Sequence, residues 1–289
     1  MDDELNPPFD LYAPTQIKAP VLFNAPHSGR IYPQDFLDEI ALDPMRIRRS
    51  EDAFVDELFQ GVIRAGVPLL SARFPRAYVD VNREPYELDP SMFDGPLPDY
   101  ANVTSMRVAG GLGTIARIVS ETDVIYRGRL SVTDALGRIE KLYKPYHATL
   151  KNTLQSLRRR FGIALLVDCH SMPSVRSGSD KRPDFILGDR FGTACDGIIV
   201  GLIQDHLKAL GYSVVRNKPY AGGFITETYG TPEEGLHAVQ IEINRSLYMN
   251  ERRFVRGAGF AQVQADLMEL SHAIVEYMAD LIEHRDAAE

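Results

Sequence analysis

The chain predicts an α/β fold with a mainly parallel sheet covered by helices on both faces. Two observations lead there: short apolar or alternating runs of strand length recur along the chain, and segments with helical apolar spacing separate them. The expected strands are Val21 to Ala25, Val67 to Ala72, Ala77 to Val81, Ile163 to Asp168, Asp184 to Leu187, Ser213 to Arg216 and His237 to Asn244. The expected helices are Asp52 to Ala65, Thr133 to Phe161, Gly192 to Leu210 and about Phe254 to His284. In the second of these, Leu142, Tyr146, Leu150, Leu154 and Leu157 share one face. One domain over residues 1–289 is expected. Its segment 84–129 is rich in Pro, Gly, Asp and Tyr and lacks sustained periodicity. A segment of that length reads as a lid or insertion.

Charge narrows the partners. With 40 acidic against 32 basic residues the chain lacks the basic excess that displaces counterions from nucleic acid or an anionic membrane, so a small ligand is expected. Cys169 and Cys195 are too few for a disulfide framework and fit a reducing, cytoplasmic setting. The first residues are acidic and interrupted by proline, unlike a signal peptide, and no apolar run is long enough to span a membrane.

Two histidines close apolar runs. His27 ends Val-Leu-Phe-Asn-Ala-Pro-His-Ser-Gly, and His170 ends Ile-Ala-Leu-Leu-Val-Asp-Cys-His-Ser. Ligands of α/β sheets sit outside the carboxyl ends of strands, so two imidazoles delivered there are candidates for one metal ion. Asp168, two residues before His170, shares its strand face and is placed to orient a neighbour. A catalytic zinc commonly has three protein ligands, and Glu51-Asp52 offers the missing carboxylate. The alternative for that pair is local, with Asp52 or Ser50 capping the following helix.

Glu242 stands inside the apolar strand Val239-Gln-Ile-Glu-Ile-Asn-Arg, where a carboxylate needs a partner or a role. It reads as a general base or as the ion-pair partner of Arg245. Arg73-Phe-Pro-Arg-Ala-Tyr-Val-Asp-Val-Asn-Arg-Glu84 clusters three arginines. Arg76 is a candidate to polarise a carbonyl, and Asn82-Arg83 to grip a carboxylate. The alternative is a solvated edge. The turn at Gly222-Gly223, followed by Thr226, lets backbone approach a ligand closely, so these three residues are candidate substrate contacts. His147 reads as packing or helix surface, and His237 as either structural or functional. Walker-type loops, Gly-x-Ser-x-Gly elbows and Cys-x-x-Cys pairs are absent from the sequence. Cys169 and His170, as strand neighbours, face opposite sides, which argues against a thiol nucleophile.

Taken in order, Asn24-Ala-Pro-His-Ser-Gly29, Val79-Asp-Val-Asn-Arg-Glu84, Leu166-Val-Asp-Cys-His-Ser171, Gly222-Gly-Phe-Ile-Thr226 and His237-Ala-Val-Gln-Ile-Glu242 resemble the N-formylglutamate amidohydrolase family. The resemblance runs from about Pro20 to Met249. That family is similar in turn to the zinc carboxypeptidases and aspartoacylase-like deacylases. The resemblance implies a mixed, doubly wound, three-layer zinc-exopeptidase-like sheet. It also implies Zn2+ or another divalent metal on His27, His170 and a carboxylate, Glu242 as base, and Asn82-Arg83 for the substrate carboxylate. The carboxypeptidase pattern His-x-x-Glu is not kept, because Arg30 stands three residues after His27. Asp52 is therefore the preferred third ligand, with Glu51 as the alternative carboxylate. Tyr86 to Arg129 departs from the pattern of members acting in histidine breakdown.

The expected activity is zinc-dependent hydrolysis of the N-acyl amide of an acidic amino acid, with N-formyl-L-glutamate giving formate and glutamate. The alternatives are a deacylase of another N-acyl amino acid or small peptide, a non-catalytic binder of acidic ligands, and a thiol hydrolase using Cys169.

Overall fold

The computed structural model describes residues 3–120, 123–174 and 182–286, so residues 121–122 of the expected lid lie outside the described residues. Its strands are β1 (Phe9–Tyr12), β2 (Val21–Ala25), β3 (Leu69–Ala72), β4 (Ile118–Ser120), β5 (Asp123–Val124), β6 (Ala164–Met172), β7 (Phe185–Gly188), β8 (Val214–Arg216), β9 (Leu236–Asn244), β10 (Met249–Asn250) and β11 (Val255–Arg256). Seven form the main sheet, in the order β1-β3-β2-β6-β9-β7-β8. β2 pairs in parallel with β3 and β6, β6 with β9, and β7 with β8, while β7 runs antiparallel to β9. The sheet is therefore mixed and mainly parallel. The helices are α1 (Gln34–Glu39), α2 (Pro44–Ile47), α3 (Val55–Phe59), α4 (Val62–Ala65), α5 (Met106–Ala109), α6 (Val132–Arg138), α7 (Lys144–Phe161), α8 (Gly197–Ala209), α9 (Phe224–Tyr229) and α10 (Phe260–Asp286).

The chain divides into two compact units. The first comprises the segments up to Asp10, Pro26–Glu51 and Ala72–Thr149, and the second Leu11–Ala25, Asp52–Ser71 and the chain from Leu150 onward.

In the second unit, strand alternation separates the core from a polar face. Leu165, Val167 and Cys169 of β6 and Val239, Ile241 and Ile243 of β9 join Val55, Leu58, Ile199, Ile203, Leu267 and Leu270, from α3, α8 and α10, in one buried apolar cluster. The intervening Asp168, His170, Gln240 and Glu242 point to the opposite face. There α9 packs, with the Gly223 N–H donating to Gln240 Oε1 at 2.8 Å.

In the first unit, the run Ala77 to Val81, expected as a strand, is a turn. Tyr78 and Val79 donate to the Pro75 carbonyl at 2.9 and 3.3 Å, and the Asp80 side chain accepts from the Asn82 N–H at 2.9 Å. Pro75 presets the turn, and a local carboxylate replaces ladder partners, so the burial of these apolar residues comes without a sheet. Nearby, the buried Arg138 guanidinium lies 4.1 Å from the Tyr78 ring centre and donates to Tyr126 Oη at 2.8 Å. The segment 84–129 belongs to this unit, and single bridges pair Glu87 with Asn102 and Phe93 with Leu130.

Helix boundaries differ from expectation for local reasons. The helix expected from Asp52 begins at Val55, because Phe54 takes a left-handed φ of 66° and occupies the cap position without a side-chain bond. The long helix keeps its span through a π-helical stretch at Ile139–Tyr143, just ahead of Pro145, which has no N–H to give to a regular ladder. α8 starts at Gly197 because positive φ at Arg190, Phe191 and Gly192 keeps the preceding loop out of helix, and Asp196 then caps it by accepting from the Ile198 N–H at 2.7 Å. β6 runs past Asp168 to Met172, so His170 sits within the strand.

Gly188 ends β7 where an added Cβ would lie 2.6 Å from the Gly222 nitrogen and 2.7 Å from the Ala221 carbonyl carbon, backbone atoms unable to swing aside. Gly188→Ala is expected to cost about 1–3 kcal/mol, read as a lower urea midpoint at unchanged slope. An unaltered midpoint would contradict this packing.

Candidate metal centre

Within the second unit the polar face of β6 and β9 is built in two rows. His170 and Glu242 are register partners in the parallel ladder, as are Asp168 and Gln240 one step earlier, so each pair stands side by side on one face. Asn24 of β2 is the register partner of Asp168 on the other side and donates to its Oδ1 at 2.7 Å. The lower row supports the upper. Asp168 Oδ2 lies 2.9 Å from His170 Nε2, and Gln240 Nε2 donates to Glu242 Oε1 at 2.8 Å.

The other ring nitrogen of His170 faces Asp52, with Nδ1 3.0 Å from Oδ2. Asp52 Oδ1 accepts from Ser171 Oγ at 3.2 Å and from Arg245 Nη2 at 3.1 Å, while Arg245 Nε donates to Ser171 Oγ at 3.1 Å. Asp52 is thus drawn to β6 rather than used as a helix cap, because the cap position falls on Phe54. Burial alone would favour the neutral imidazole of His170. The flanking carboxylates Asp168 and Asp52 outweigh burial and raise its pKa well above the usual histidine range.

Within the first unit His27 is arranged in a similar way. Its Nε2 lies 2.8 Å from Asp80 Oδ1. Asp80 Oδ2 accepts from Arg76 Nη2 at 2.6 Å and lies 3.5 Å from Arg83 Nη2. Burial would raise the Asp80 carboxyl, but Arg76, Arg83 and His27 hold it well below the ordinary carboxylate range. Arg76, expected to polarise a substrate carbonyl, therefore has its guanidinium engaged by Asp80. Arg83 spends Nε on the Leu112 carbonyl at 2.8 Å and Nη1 on the Asn82 carbonyl at 2.7 Å, which leaves N–H donors on both terminal nitrogens.

His27 of the first unit and Asp52 and His170 of the second are all buried, and each offers a ring nitrogen or a carboxylate oxygen. Two imidazoles and a carboxylate form a donor set that suits zinc. Their surroundings fit a cation as well: each histidine has a carboxylate at Nε2, which fixes its ring, and His170 lies where two carboxylates call for positive charge.

Glu51, the alternative carboxylate, is directed elsewhere. It is only 1% exposed, receives Arg48 through Nε at 2.9 Å and Nη2 at 3.1 Å, and accepts from Tyr32 Oη at 2.6 Å. Gly223, expected to offer its amide to substrate, donates that amide to Gln240. Gly222 has a φ of +111°, which a side chain rarely adopts, and an added Cβ there would come within 3.2 Å of Thr226 Oγ1. That buried hydroxyl has no hydrogen-bond partner among the described residues. His147 bonds the Val81 carbonyl at 2.8 Å, and His237 Nδ1 accepts from the Asp196 N–H at 3.2 Å. Burial pushes the Cys169 thiol well above its ordinary pKa. The sequence does not point to Asp80 as partner of His27, to Gln240 as partner of Glu242, or to Asp52 as the partner of Arg245, for which it offers Glu242. For Gln240 the signal was present, since it precedes Glu242 by two residues, as Asp168 precedes His170.

A family model described as N-formylglutamate amidohydrolase matches residues 19–249. The N-formylglutamate deformylase of Pseudomonas putida is 30% identical over 274 residues, covering 92% of this chain and 96% of that protein. Its namesake from Pseudomonas aeruginosa is 32% identical over 269 residues, covering 91% of this chain and 92% of that one. The crystal structure of N-formylglutamate amidohydrolase from Ralstonia eutropha JMP134 aligns with a TM-score of 0.88 at 38% identity, covering 94% of this chain and 98% of that chain. The matched region takes in β2, β6 and β9, the Glu51-Asp52 pair and the Asp80 turn, and the chain belongs to the N-formylglutamate amidohydrolase family.

Proposed function

We propose that this protein is a zinc-dependent amidohydrolase that converts N-formyl-L-glutamate and water to formate and L-glutamate. The observation that carries this reading is the buried pairing of His170 with Asp52, with Glu242 beside His170 in the β6–β9 ladder. His27 is the proposed third ligand. The activity named for the Pseudomonas relatives supports the choice of substrate.

His27, Asp52 and His170 would hold a divalent ion, which when bound would supply Lewis acidity for the amide carbonyl and ease deprotonation of a water. Glu242 takes a proton from the attacking water and delivers it to the amide nitrogen as the C–N bond breaks. The water oxygen leaves in formate and the nitrogen leaves as the amine of glutamate. Arg76 contributes positive charge for the carbonyl oxygen through donors beyond its bond to Asp80. Arg83, held rigidly by two backbone carbonyls and assisted by Asn82, grips a substrate carboxylate with its remaining donors. Thr226, with its unspent hydroxyl beside Gly222, gives the substrate a further hydrogen bond. The reading includes a cytoplasmic location, which the buried thiols of Cys169 and Cys195 suit. Among the described residues no helix is long and apolar enough to cross a membrane.

Three outcomes are expected. Glu242→Gln keeps its metal and loses about 10²- to 10⁴-fold in kcat, measured beside metal content; full turnover would remove Glu242 from the mechanism. Asp52→Asn purifies depleted of metal, whereas Glu51→Gln keeps its metal and loses stability through Arg48; the reverse pattern would exchange the two carboxylates. Chelation abolishes activity and zinc restores it, and in a screen of formyl, acetyl and succinyl derivatives of glutamate, aspartate and glutamine the formyl-glutamate is turned over fastest. A different preferred substrate would keep the chemistry and replace the substrate.

A further inference from the structure

Gln240 is 4% exposed on β9, and both ends of its amide are engaged. Its Oε1 accepts from the Gly223 N–H at 2.8 Å, and its Nε2 donates to Glu242 Oε1 at 2.8 Å. The orientation of this amide is dictated by chemistry. A backbone N–H can only donate, so the oxygen must face Gly223 and the NH2 must face the carboxylate. Gly223 is in turn held in place, because the neighbouring Gly222 nitrogen packs within 2.6 Å of where a Gly188 Cβ would be. A rigid backbone amide thus fixes Gln240, and Gln240 fixes one oxygen of Glu242. The same strand geometry serves His170, whose Nε2 meets Asp168 two residues earlier.

We propose that Gln240 is a positioning residue for hydrolysis: it transmits the fixed geometry of the Gly222-Gly223 turn to the Glu242 carboxylate and holds it ready to move the water proton. The proposal rests on the reading of Glu242 as general base. Gln240 acts through Glu242, its amide being bonded to the Gly223 N–H and to the Glu242 carboxylate. Its contribution is to remove rotameric freedom from a side chain whose usefulness depends on aim, an effect on the rate of the chemical step rather than on substrate affinity.

The test uses full-length, zinc-loaded protein with N-formyl-L-glutamate. Gln240→Met keeps the volume and loses both bonds. It is expected to lower kcat about 10- to 100-fold while leaving KM within about twofold and metal content unchanged. In a Glu242→Gln background the same change is expected to add less than about threefold, because the group it aims is already gone. If Gln240→Met fails to fold by circular dichroism, Gln240→Glu keeps an acceptor for the Gly223 N–H and is expected to give the same loss of kcat. An unchanged kcat in the folded variant overturns the proposal. So does an equal further loss in the Glu242→Gln background, which marks Gln240 as merely structural. Full activity of Glu242→Gln alone sinks the base assignment and this proposal with it. An inactive Glu242→Gln beside a fully active Gln240→Met sinks only the proposal.

Discussion

In-register parallel pairing of β6 with β9 places His170 opposite Glu242 and Asp168 opposite Gln240, putting four polar side chains on one buried face of the sheet. A slip of β9 by one residue would turn Gln240 and Glu242 into the apolar cluster that holds Val239 and Ile241, and those two apolar residues onto the polar face. Burying such groups without partners is costly, so the hydrophobic pattern of the odd positions enforces the register that the even positions need. Asn24 continues the polar row onto β2, so three adjacent strands share one layer of hydrogen bonds.

Each charged group of the candidate centre is compensated close by. Asp52 has Arg245 and Ser171 on one oxygen and His170 on the other. Asp80 has Arg76 and Arg83 on one oxygen and His27 and the Asn82 amide on the other. These partners orient the ligands as well as offsetting the desolvation of buried carboxylates, since an imidazole tied at Nε2 presents Nδ1 in one direction only. The adjacent carboxylates Glu51 and Asp52 show how far local backbone divides function. Glu51 goes to Arg48 and Tyr32, Asp52 goes to His170, and the left-handed turn at Phe54 keeps both outside the helix.

The strand pattern was legible where apolar burial and sheet pairing coincide. Val21 to Ala25 was read with its observed bounds, and His237 to Asn244 within one residue, because continuous or alternating apolar runs have few other uses. Ala77 to Val81 misled for the complementary reason: its apolar residues are buried by a proline-initiated turn, and hydrophobicity does not distinguish the two. His27 and Asp52 stand out by their places just past a strand end and ahead of a helix, and His170 as a polar residue in an apolar run, although it lies inside β6 and not at its end. The pairings of Asp80 with His27 and of Arg245 with Asp52, rather than with Glu242, were not legible, since a contact across 53 or 193 residues of chain leaves no local periodicity. The engagement of the Gly223 amide was hidden as well, because a double-glycine turn has the same composition whether its N–H serves a ligand or a neighbouring strand.

Cys169 sits one residue from His170 and faces the opposite side of the sheet, inside the apolar cluster, with its thiol held protonated by burial. Thiolate is the softest zinc donor a protein can supply, and sulfur-rich sites belong to structural zinc that is closed to solvent chemistry. Strand alternation thus sets which donors the polar face offers: the imidazole of His170 and the carboxylate of Asp168 stand there, and the Cys169 sulfur is kept behind the backbone.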